Sequence, residues 1–83
     1  MKKIRIDLNT FQDKRDLHLY LKEQCNFPEY YGCNLDALYD CLSENNEFFF
    51  EIVENEAYEM YLLSIMKIFR KTKCEFEVVS KED

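Results

Sequence analysis

Glycine and proline are nearly absent from this sequence: Gly32 and Pro28 are the single examples in 83 residues, and both fall in one short stretch. No glycine-rich loop exists that could cradle a nucleotide's phosphates. Lysine and arginine are missing from residues 23–59, which hold ten acids and carry −10; the remaining residues hold seven acids and eleven bases and carry +4. The acidic middle repels phosphate backbones, which argues against direct nucleic-acid binding there, and attracts basic proteins. Only one histidine is present, His18, and no nucleophile–base pair accompanies it, so we read it as a surface or boundary residue and the chain as not an enzyme. The longest apolar runs are a few residues, too short to span a membrane. The start, MKKIRIDLN, alternates polar with apolar residues, unlike a signal peptide or anchor. Cys25, Cys33 and Cys41 stand eight apart, which matches no C-x-x-C zinc pattern, so neither a metal nor a cofactor is expected. Without a secretory signal the four cysteines read as reduced, small core residues of a cytoplasmic protein.

What is present suits a small globule. With 47% hydrophobic and 16% aromatic residues the chain is too apolar for a disordered tail, and its length fits one domain over residues 1–83. Residues 2–8 place Ile4, Ile6 and Leu8 at the period-2 spacing of a strand. Asp13 followed by Asp16 resembles the start of a helix over residues 14–24, with Leu17, Tyr20 and Leu21 on its apolar stripe. Residues 48–53, FFFEIV, read as a strand covered on both faces, with Glu51 at a rim or strand end. Asn55 can cap a long helix over residues 56–73, acidic at its start and basic at its end as the macrodipole favours. Residues 75–79 complete the series as a strand, and residues 81–83 read as a solvated tail. The order strand, helix, helix, strand, helix, strand points to an α/β fold with a small parallel sheet. Pattern alone leaves an antiparallel α+β sheet open.

Residues 28–42, PEYYGCNLDALYDCL, organise the rest. Asn34 can cap a helix that begins at Leu35. A turn of 100° per residue sets Leu35, Leu38, Cys41 and Leu42 on one side and Asp36, Tyr39, Asp40 and Ser43 on a more polar one. Asp40 falls late in the helix, where negative charge is disfavoured, and it repels Asp36 four residues earlier. A cationic partner is what this face lacks. Ahead of it, Pro28 fixes its own φ and Gly32 is expected to supply a positive-φ turn. Of the adjacent Tyr30 and Tyr31, we expect one ring in the core and one outside.

This run resembles the central motif of the barstar family, intracellular inhibitors of the secreted ribonuclease barnase, with Tyr39 standing where barstar has tryptophan. The resemblance is unbroken along the motif and continues more weakly to both chain ends. It implies a two-layer fold, a three-stranded parallel sheet in order 1-2-3 covered by about three helices. It also implies that the second helix and the loop before it enter a ribonuclease cleft, where an acid takes the place of the substrate phosphate. By motif position that acid is Asp40, supported by Asp36, Tyr30, Leu35, Tyr39, Gly32, Asn34 and Ser43. The implied partner is a basic, extracellular, barnase-like ribonuclease, bound one to one by a chain that is monomeric when free. Departures are Asn45 in place of a second exposed tryptophan, Cys33 in place of an acid, and Lys71 where barstar has another inhibitory glutamate. The link between the second strand and the last helix is also shorter by about a small helix. Another acidic interaction role, as an immunity protein against a different basic toxin or nuclease, uses the same surface and stays open at this point.

Overall fold

The computed structural model describes residues 1–80, and the terminal 81–83, read above as a tail, lie outside them. Its elements are β1 (Lys2–Asp7), α1 (Lys14–Gln24), α2 (Leu35–Glu44), β2 (Phe48–Val53), a 3-10 turn (Glu56–Tyr58), α3 (Glu59–Thr72) and β3 (Glu75–Val79). The strands form one parallel sheet in the order β1-β2-β3, with Ile4 opposite Phe50 and Phe50 opposite Phe76. Strand order equals chain order, so right-handed crossovers carry the helices to the same side of the sheet.

That side holds the core. Ile4, Ile6, Phe50 and Ile52 are buried against Leu17 and Leu21 of α1, Leu38 and Leu42 of α2, and Ile65 and Phe69 of α3. Phe50 stacks flat on Phe69, with ring centroids 4.3 Å apart and planes 2° from parallel. Among the described residues no layer covers the other side of the sheet, which corrects the reading of β2 as buried on both faces. Lys3, Arg5, Glu75 and Glu77 stand there exposed, and Glu51 lies mid-strand among them. Arg5 binds its carboxylate at 2.7 Å and Lys3 approaches at 3.5 Å. The Arg5 hydrogen bond, with Lys3 adding to it, holds the Glu51 carboxyl below the usual carboxylate range. An acid inside an apolar run thus marks the open face and not a strand end.

Two helix ends use left-handed residues that are not glycine. Asn26 follows α1 at φ 56°, and Lys73 ends α3 at φ 63°, where Cys74 N–H donates to the Phe69 carbonyl at 2.9 Å. Such bonds satisfy carbonyls that the helix end would leave free. Asn55 accepts from Ala57 N–H at 2.9 Å and so caps the 3-10 turn; α3 itself begins only at Glu59, which shortens the long helix expected from the sequence.

His18 corrects the surface reading. Its side chain is fully buried between α1, α3 and the loop before α2. Nδ1 lies 2.6 Å from the Tyr31 hydroxyl and Nε2 2.6 Å from the Tyr61 hydroxyl. Burial pushes its pKa down, favouring the neutral ring. A neutral imidazole donates from one nitrogen and accepts at the other, so one hydroxyl accepts while the other donates. These two bonds tie the loop to two helices.

Candidate functional site

The loop over residues 25–34 connects α1 to α2 and sets how α2 is presented. Tyr31 N–H donates to the Pro28 carbonyl at 2.9 Å, closing a turn that sends the two tyrosine rings apart. Tyr31 is buried against Phe27, centroids 4.8 Å apart, whereas Tyr30 is 87% exposed. One ring anchors the loop and the other is offered to solvent. Burial drives the Tyr31 hydroxyl strongly upward in pKa, so it stays protonated as a partner for His18.

Gly32 does not take the positive φ expected of it; that conformation belongs to the next residue, Cys33, at φ 52°. What Gly32 provides is room. A Cβ built there would sit 3.1 Å from Asn34 Nδ2, pressing on the side chain that begins α2. Asn34 caps the helix as the sequence suggests: its Oδ1 accepts from Ala37 N–H at 2.8 Å, and its Nδ2 donates to the Gly32 carbonyl at 3.3 Å. A single missing side chain thereby protects the cap.

From this start α2 turns Leu38 and Leu42 fully into the core, with Leu35 and Cys41 half-buried beside them. Asp36, Tyr39, Asp40, Ser43 and Glu44 remain exposed. Among the described residues neither Asp36 nor Asp40 forms an ion pair, and the last turn of α2 holds no basic residue. Ser43 donates its hydroxyl to the Tyr39 carbonyl at 2.7 Å, leaving its oxygen as an acceptor. Asp36, Asp40 and Glu44 follow at intervals of four, so three carboxylates climb one side of a ten-residue helix.

A groove of about 860 Å³ separates the loop from α2. Tyr30 and Gly32 lie on its loop side and Tyr39, Asp40, Ser43 and Glu44 on its helix side. Five of the eight residues singled out from the sequence, Tyr30, Gly32, Tyr39, Asp40 and Ser43, therefore meet around one depression. Leu35 and Asp36 line a different groove, on the α3 side, and Asn34 acts as the cap. Glu44 was missed, although the four-residue spacing from Asp40 could have shown it. Cys41, at the floor of the groove, has its thiol pKa raised by burial and by the nearby carboxylates of Glu44 and Asp40. Cys25 is pushed up to about 12, chiefly by burial, so these groups sit as thiols and not as nucleophilic thiolates.

The site is thus a convex acidic ridge beside an aromatic-rimmed groove. It can accept hydrogen bonds from cations and stack against planar groups. Among the described residues no three potential metal ligands gather, and no helix is long and apolar enough to cross a membrane.

The family described as "Barstar (barnase inhibitor)" matches residues 1–77 of the chain. A Bacillus subtilis (strain 168) protein named "Putative ribonuclease inhibitor YrdF" is 54% identical over 43 residues, a stretch covering 52% of this chain and 47% of that protein. Over that match the chain spans about half the length of its curated relative.

Proposed function

We propose, from the premise that this chain belongs to the barstar family, that it inhibits a ribonuclease by plugging the enzyme's cationic cleft with α2 and the preceding loop. The observation that carries this reading is Asp40, exposed beside Tyr39 on the ridge, without an ion pair among the described residues, and with Tyr30 on the opposite wall of the groove. Arginines and lysines that hold an RNA phosphate bind a carboxylate by the same charge-assisted hydrogen bonds, so Asp40 stands in for the phosphate and Asp36 reinforces the local potential. Tyr30 and Tyr39 add apolar area that excludes water from those bonds. The partner is a basic, secreted, barnase-like enzyme held one to one. The chain works as a single cytoplasmic domain that guards its host, and its own role is to bind and not to catalyse.

Net charge supports fast capture. A surface with −10 over residues 23–59 raises the encounter rate with a basic enzyme, and steering of this kind is worth roughly ten- to a thousand-fold in rate. The test is a ribonuclease assay on proteins secreted by the source organism, with and without this chain, followed by stopped-flow association. Activity should fall to background at stoichiometric inhibitor. Association should slow about tenfold or more between low salt and about 1 M, where the Debye length shrinks to about 3 Å. Undiminished nuclease activity, or a rate indifferent to salt, would argue against the reading.

A further inference from the structure

A second groove, of about 590 Å³, runs between α2 and α3. Tyr39 and Asp40 line both grooves and so form the ridge between them. In this second groove the α2 wall carries Asp36 and Asp40, the α3 wall carries Lys67 and Lys71, and Leu35 and Ile68 lie between. All four charged side chains belong to exposed residues, and among the described residues no ion pair crosses the groove. Each wall instead holds two like charges one turn apart, an arrangement that costs a helix a few tenths of a kcal/mol. The α3 macrodipole accounts for cations in the last turn, Arg70 and Lys71, but Lys67 lies before that turn. The macrodipole thus covers Lys71 but not Lys67, and both stand on the wall opposite the acidic ridge.

We infer that this two-signed groove selects the partner: it fits a ribonuclease whose cleft rim bears carboxylates that meet Lys67 and Lys71, directly beside the cations that meet Asp36 and Asp40. The inference rests on the inhibitor reading above and narrows it. A ribonuclease with an entirely basic rim would bring like charges against α3 and be rejected, since specificity grows from such repulsion as much as from attraction. Exposed pairs are individually weak, up to about fivefold in affinity each, so two of them together discriminate by up to about 25-fold.

The test uses barnase and a set of barnase variants in which single lysines and arginines around the cleft are replaced by glutamate. Each is titrated with the unaltered chain, with a Lys67→Glu/Lys71→Glu chain and with an Asp40→Ala chain. At one or more rim positions the glutamate variant should bind the unaltered chain more tightly than barnase does, by about tenfold at the best position. The Lys67→Glu/Lys71→Glu chain should lose that gain and bind unaltered barnase better than the natural chain does. If no rim position couples to Lys67 and Lys71 while Asp40→Ala still weakens binding, the inhibitor reading stands and the groove assignment falls. If the chain inhibits no member of the set, the inhibitor reading itself fails and takes the assignment with it. Circular dichroism of the double variant should match that of the unaltered chain, because both lysines are exposed and form no ion pair among the described residues.

Discussion

Replacing Asp40 by alanine is expected to weaken ribonuclease binding by about 2–5 kcal/mol, or roughly thirty- to several-thousand-fold, chiefly through faster dissociation. The size follows from what remains behind. In the complex the partner's cationic groups would be desolvated against α2, and truncating the carboxylate leaves them buried without a counter-charge. Folding should be nearly untouched, within about 0.5 kcal/mol, since Asp40 is exposed and forms no ion pair among the described residues. Any change should be a slight gain, because the substitution also removes a like-charge neighbour of Asp36 and a negative charge late in the helix. Titration calorimetry alongside urea unfolding separates the two effects. Equal affinity for the two proteins would remove Asp40 from the centre of the interface.

His18→Ala acts in the opposite manner, on the fold first and on binding only through it. The substitution empties a fully buried site and leaves the Tyr31 and Tyr61 hydroxyls without the ring that joins them. A cavity plus two orphaned hydroxyls costs about 3 kcal/mol or more. For a chain of this size that corresponds to a fall in Tm of about 12–24 °C. The pH dependence identifies the cause. Burial lowers the folded-state pKa of His18 below its ordinary value of 6.5, so as pH falls the unfolded chain takes up the proton first. Stability owed to the neutral ring is complete above pH 6.5 and drains away as pH drops from there through the lower, folded-state pKa. Thermal unfolding of the natural chain should show that slope and His18→Ala should lack it. Parallel slopes in the two proteins would mean that another group titrates. Because Tyr31 belongs to the loop that bears Tyr30, the variant should also lose affinity even where it remains folded.

Most of the architecture is legible in the sequence because its signals are local. Strand and helix periodicities in KKIRID, KRDLHLYLKEQ and FFFEIV depend on neighbours within a turn or two; the second and third of these begin and end as expected, and the first ends at Asp7, one residue before the expected Leu8. The Asn34 cap and the split between Leu38, Leu42 and Asp36, Asp40 are local in the same sense. His18 is different, because its two partners come from positions 13 and 43 residues away and no spacing rule connects them. Gly32 departs from expectation for a related reason: glycine's conformational freedom points to a positive φ, but the constraint is a close approach to Asn34, and Cys33 takes the left-handed conformation. An acid in an apolar run points to a rim or a strand end, yet Arg5 faces Glu51 across the sheet register. Lys67 and Lys71 were explained by their own helix, and only the packing of α3 against α2 shows which acids they face.

The central claim is that a carboxylate of this chain occupies the place of a substrate phosphate, and competition tests it most directly. The inhibited ribonuclease would be titrated with the chain at rising concentrations of a mononucleotide that binds its active site. The apparent Kd should rise in proportion to nucleotide, because the two ligands exclude each other. A Kd independent of nucleotide, with both held on the enzyme at once, would place the chain elsewhere on its partner and contradict the account.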